Sequence, residues 1–194
     1  MSNLDQSRRE ILKSVALAVT MGSMPVDAAQ HVHTMAANDK AGGPYKPKGF
    51  TDAEYKTIQV LCELIVPGAG QGNAAEFIDL LASVNPDLKA HWTGGLAWMD
   101  RWMERQNKVA FSAATPAQQT ALLDIIAYRK NATGDNAPGV RFFELARRMT
   151  VDAYYTSPAG IKEIGYLGNK GQSEFKVAQS LYDYALKRSP FANG

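Results

Sequence analysis

One cysteine, Cys62, occurs in 194 residues. An internal disulfide is therefore impossible, and a multi-cysteine metal or iron–sulfur site within the chain is excluded. Histidine is nearly as scarce: His31, His33 and His91 are scattered and fall short of the four ligands a structural metal site asks for. Charge of one sign is missing too. Lysine plus arginine number 21 against 19 acids, so despite a pI near 8.6 there is no electrostatic case for a nucleic-acid partner. No stretch sustains the apolar/polar alternation of a half-buried strand. What remains, 45% hydrophobic and 21% charged residues, suits one helical domain with a single core.

The N-terminus carries Ser7-Arg8-Arg9-Glu10-Ile11-Leu12-Lys13, then thirteen uncharged residues from Ser14 to Val26, then small residues around Ala28. Paired arginines ahead of a modest apolar run and a small-residue end read as a twin-arginine export signal, with Arg8 and Arg9 as its pair. An amphipathic helix gives no reason for adjacent arginines there. The run is well short of the roughly 20 residues that cross a bilayer as a helix. Residues 1–28 are thus expected to be a leader, and the mature chain to work in the periplasm. That export route carries folded cargo, typically with a cofactor already inserted, yet this chain shows no cofactor motif. The signal is then expected to serve a cofactor-bearing partner as well.

Residues 29–49 mix Ala, Gly, Pro, Asn and Lys without periodicity and predict a flexible arm or extended strap, on which His31 and His33 could share one side. Residues 50–194 predict about six helices. Thr51 to Glu54 is a capping box that opens a helix bearing Tyr55, Ile58, Leu61, Cys62 and Ile65 on one face. Cys62 sits on that stripe and reads as a buried small hydrophobe, with an intersubunit disulfide as the other use of it. The run GAGQG at 68–72 follows a helix rather than a strand, which makes it a helix-to-helix turn and not a dinucleotide fingerprint. Asn85-Pro86 opens the next long helix, where Trp98 and Trp102 share a face as core or as a partner patch. Gly94-Gly95 weakens that helix or lets another element come close. Thr115 to Gln118 is a second capping box, and Val177, Leu181, Tyr184 and Ala185 give the last helix an apolar stripe.

The chain from Phe142 to Asn169 is the most informative. A helix with Phe142, Leu145, Ala146, Met149 and Ala153 on one face is stopped by Thr156-Ser157-Pro158, and a glycine-rich apolar loop with Ile161, Ile164, Tyr166 and Leu167 follows. A solvated loop has little reason to hold such groups. It either folds onto the core or docks a partner.

These residues resemble the small (gamma) subunit family of gluconate 2-dehydrogenase, called subunit 3. The likeness rests on Phe50 to Glu54, Leu64 to Gly68, Glu76 to Asp79, Gly95-Leu96 with Asp100, Thr115 to Gln119, and the run from Phe142 through Tyr154-Tyr155-Thr156-Ser157-Pro158 to Gly165-Tyr166-Leu167-Gly168-Asn169. It implies a non-catalytic subunit of a periplasm-facing complex that oxidises sugars, sugar acids or polyols. In such a complex a large FAD-containing subunit oxidises the substrate and a multihaem cytochrome c removes the electrons. The small subunit carries the export signal and helps the large one mature. No cofactor or catalytic residue falls to this chain by the resemblance, and an intersubunit disulfide could use only Cys62. The expected partner contacts are Trp98, Trp102, Tyr154, Tyr155, Tyr166 and Leu167. Two alternatives stand beside this reading: a free-standing exported enzyme using Glu54, Glu76 or Asp100, and a small-ligand or metal module built on the three histidines.

Overall fold

The computed structural model describes Glu10, Lys13, residues 26–166 and residues 177–189. Arg8, Arg9 and Leu167 lie outside these. The described residues form eight α-helices joined by turns and short 3-10 segments, with no strand among them. The helices are α1 (Val26–Ala41), α2 (Asp52–Ile65), α3 (Ala74–Val84), α4 (Pro86–Asn107), α5 (Pro116–Ile126), α6 (Ala137–Tyr155), α7 (Pro158–Glu163) and α8 (Gln179–Arg188).

Their starts are set where the sequence says they should be. At α2, the Glu54 amide donates to Thr51 Oγ1 at 3.3 Å while Glu54 Oε2 accepts from the Thr51 amide at 2.9 Å. Thr115 and Gln118 repeat the exchange at α5, and Asn85 Oδ1 accepts from the Leu88 amide at 2.9 Å to start α4. These contacts satisfy amides that the first helical turn leaves without partners.

Helix α3 is the centre, with residues Ala74 to Ala82 all buried. It is apolar nearly all round, as a helix enclosed by others must be, and α1, α2, α4 and α6 pack about it. Two acids lie within that helix, and each has a task. Asp79, fully buried, accepts the Tyr45 hydroxyl at 2.8 Å and the amides of Lys48, Gly49 and Phe50 at 2.8, 2.9 and 3.0 Å. Glu76 takes Lys40 Nζ at 2.9 Å.

The strap expected over residues 29–49 is only partly extended. Val26–Ala41 is helical, burying Ala29, Val32, His33 and Ala36, and the extended part is the short run that Asp79 holds. Alanine-rich composition favours a helix once a core is available to bury one side, and no residue from 26 to 41 is a proline or glycine. On a helix, residues two apart point in nearly opposite directions, so His31 is exposed while His33 is buried.

Helices α4 and α6 lock by reciprocal insertion. The Phe142 ring of α6 enters the space at Gly95 of α4, where a Cβ would meet its Cδ2 at 2.0 Å. The Trp98 ring of α4 enters at Gly139 of α6, where a Cβ would lie 2.3 Å from the indole. Gly95 thus permits the close approach that its place in a helix suggests.

Candidate partner interface

The turn from α2 to α3 shows why GAGQG is rich in glycine. Tyr154, at the end of α6, lies against it: a Cβ on Gly72 would come 2.7 Å from Tyr154 Cδ2 and 2.8 Å from Ser157 Oγ. Glu63 closes the turn, accepting the Gly68 amide at 2.7 Å and the Gly70 amide at 3.1 Å. The glycines are accounted for by packing and by the chain reversal.

Tyr154 itself is buried, and its hydroxyl donates to Glu163 Oε2 at 2.5 Å. Ser157 caps α7 by accepting the Gly160 amide at 3.1 Å while its hydroxyl donates to the Tyr154 carbonyl at 2.6 Å. Gly160 has no room for a side chain, since a Cβ would lie 2.2 Å from that same carbonyl oxygen. Helix α7 is thereby held tightly across the end of α6. It ends at Gly165, whose φ of +65° is a left-handed conformation natural to glycine. There the Gly165 amide donates to the Lys162 carbonyl at 3.2 Å and the Tyr166 amide to that of Ile161 at 3.1 Å. This pairing is the Schellman closure of a helix. The stretch whose sequence predicts an apolar loop is therefore a short helix and a fixed turn up to Tyr166.

That rigid turn presents Ile164, 57% exposed, and Tyr166, 48% exposed. Beyond it, α8 buries none of its residues: Leu181 and Tyr184 lie on one face, Tyr182 and Leu186 on the other, and all four are exposed. The apolar stripe of the last helix faces outward. Of nine large exposed hydrophobic residues in the described chain, seven fall between 164 and 186. Scattered exposed hydrophobics are ordinary, but this concentration in one terminal segment makes it the candidate interaction surface. The sequence held a signal for it: tyrosines at 182 and 184 lie about 200° apart on a helix, so one packed face cannot take both.

The other expected residues divide. Trp98 is buried, with Nε1 donating to the Asp135 carbonyl at 3.1 Å. Trp102 is half-buried against the core, and Tyr155 is half-buried with its ring 5.1 Å from that of Tyr154. Cys62 is buried beside Thr150, with Sγ 3.4 Å from its Oγ1, and burial above all pushes the thiol pKa up to about 12. A disulfide to another chain would require drawing Cys62 out of the core.

The residues of the alternative readings are not gathered into a site. Glu54 caps α2, Glu76 holds Lys40, and Asp100 Oδ1 accepts the Phe111 amide at 2.9 Å. His33 Nε2 lies 3.0 Å from Thr156 Oγ1, and His91 Nδ1 lies 2.7 Å from the Asp87 carbonyl. Among the described residues no three His, Cys, Asp or Glu side chains group as metal ligands. No described helix is long and apolar enough to cross a membrane.

Residues 52–171 match the family model described as Gluconate 2-dehydrogenase subunit 3. No curated protein and no solved structure matches the chain.

Proposed function

Because the chain belongs to the gluconate 2-dehydrogenase subunit 3 family, we propose that it is the non-catalytic small subunit of an exported, FAD-dependent dehydrogenase acting on a sugar, sugar acid or polyol. It binds the large flavin subunit, assists its maturation, and lends it the twin-arginine leader for passage to the periplasm. A cytochrome c partner accepts the electrons. The observation that carries this reading is the terminal segment from Ile164 to Leu186, where seven large hydrophobic side chains are exposed in the free chain. Burying such a surface against a partner is favourable by roughly 25 cal/mol for each Å² of apolar area removed from water. The paired Arg8 and Arg9, in a chain with no cofactor motif of its own, support the escort role.

The test is purification of the tagged full chain from its native cells under mild conditions. A large flavin-bearing chain co-elutes, and the small chain separated from it is colourless and inactive. Ile164→Ser with Tyr166→Ser lowers flavin recovery while the free chain keeps its helical circular dichroism. Recovery of the chain without flavin in every mild condition would sink the proposal.

A further inference from the structure

A groove of about 550 Å³ runs between α4 and α6, outside the terminal segment. Its floor is Leu145 over the buried Leu88, Trp98 and Phe142. Arg141 and Arg148 stand along one edge, at i and i+7 on α6 with Leu145 between them, so all three share a stripe. No carboxylate lines this groove. Among the described residues Arg141 forms no ion pair, whereas the nearby Arg129 is already paired with Glu144. Arg148 meets the charge of Asp152 one turn further on, outside the groove.

Gly94 lies on the opposite wall, exposed in the middle of α4. A glycine inside a helix costs stability relative to alanine. Its neighbour Gly95 has a reason within the chain, the Phe142 ring, but a Cβ at Gly94 would meet nothing within 4 Å. A local choice that weakens the helix without serving the fold points to a contact from outside the chain.

We propose that this groove is a second seat for the large subunit, receiving from it an apolar segment that carries carboxylates. The segment's backbone passes close over Gly94, its apolar side chains rest on Leu145, and its carboxylates pair with Arg141 and Arg148. The charge pattern selects that occupant: two arginines at the rim of a groove free of acids complement an acidic, apolar peptide segment, with planar forks suited to carboxylates. This inference rests on the subunit reading above but concerns a different surface.

Three full-length variants test it in the native complex: Gly94→Leu, Arg141→Glu with Arg148→Glu, and Ile164→Ser with Tyr166→Ser. Flavin retained on the immobilised chain through a rising salt wash is the measure. The first two variants are expected to retain about tenfold less flavin than the natural chain. Gly94→Leu should melt, as the free chain, no lower than the natural protein, because its side chain enters open space. A benzophenone amino acid placed at position 94 should crosslink to the flavin-bearing chain, at a segment containing Asp or Glu. Full flavin retention by both groove variants, with loss only in the Ile164/Tyr166 variant, overturns the groove and leaves the subunit reading standing. No flavin with the natural chain removes both. Undiminished flavin retention combined with lost binding to phosphatidylglycerol vesicles overturns the proposal in favour of a membrane contact.

Discussion

Gly95 of α4 and Phe142 of α6 occupy one another's space so fully that a Cβ on the glycine would sit 2.0 Å from the phenylalanine ring. The adjacent Gly94 has nothing within 4 Å of its Cβ position. Two neighbouring glycines in one helix therefore respond oppositely to the same change. Gly95→Ala forces the α4–α6 pair apart and is expected to lower stability by about 1–3 kcal/mol, as overpacking does. Gly94→Ala is expected to raise it by about 0.5–1 kcal/mol through helix propensity alone. Urea melts of the two variants check both signs.

Asp79 holds the extended run before α2 with four hydrogen bonds, three of them from consecutive amides. Asp79→Asn keeps the shape but turns an NH₂ group towards donors. It is expected to cost about 2–4 kcal/mol, the range for leaving buried partners of a charged group unsatisfied. The same run includes Gly49, where a Cβ would lie 2.7 Å from the Asp79 carbonyl, so Gly49→Ala should be similarly harmful. Amide exchange at Lys48, Gly49 and Phe50 should quicken in Asp79→Asn, which a general loss of stability elsewhere would not single out.

His33 gives the fold an acid limit. Thr156 uses its one hydroxyl hydrogen on the Asp152 carbonyl at 2.7 Å, so it accepts from His33 Nε2–H, and the buried Nδ1 has no hydrogen-bond partner among the described residues. Burial lowers the His33 pKa from 6.5 to about 4. The folded imidazole stays neutral where the unfolded one takes a proton. Between pH 6.5 and 4 the unfolded state thus binds more protons, and stability falls as pH falls, by up to about 3 kcal/mol once both pKa values are passed. His33→Gln should flatten this part of the pH–stability curve. An unchanged slope would assign the acid sensitivity to other groups.

Cys62, with its thiol pKa pushed up to about 12 and almost no exposed surface, should be silent to Ellman's reagent in the native protein at pH 8. One thiol per chain should appear on adding denaturant, at the rate of unfolding. Prompt labelling of the native chain would show that α2 opens far more readily than its packing implies.

The sequence made the caps and most of the inward faces legible, because these depend on residues three or four apart. Thr51–Glu54, Thr115–Gln118 and Asn85–Pro86 begin helices where expected, and Met149 and Ala153 face inward. The helix α1 was hidden because its stability comes from surfaces supplied by α3, and its own periodicity is weak. The exposed α8 was hidden for the opposite reason: an apolar stripe looks the same whether the surface that covers it belongs to the same chain or another. Tyr154 illustrates a third limit. It was expected at a partner surface, but its neighbours in space are Gly68, Gly72 and Glu163, two of them more than eighty positions away in sequence. Such pairings depend on tertiary packing and leave no local pattern.

Helix α1 begins at Val26, and Ala29 is already fully buried. Were the proposed leader to end near Ala28, no slack chain would separate it from the folded body. A peptidase needs its substrate extended, so removal of the leader would require the first turn of α1 to unwind. Cleavage of such a leader would compete in time with the docking of that turn. The ratio of full-length to shortened chain, read by intact mass, becomes a clock for when folding is completed relative to export.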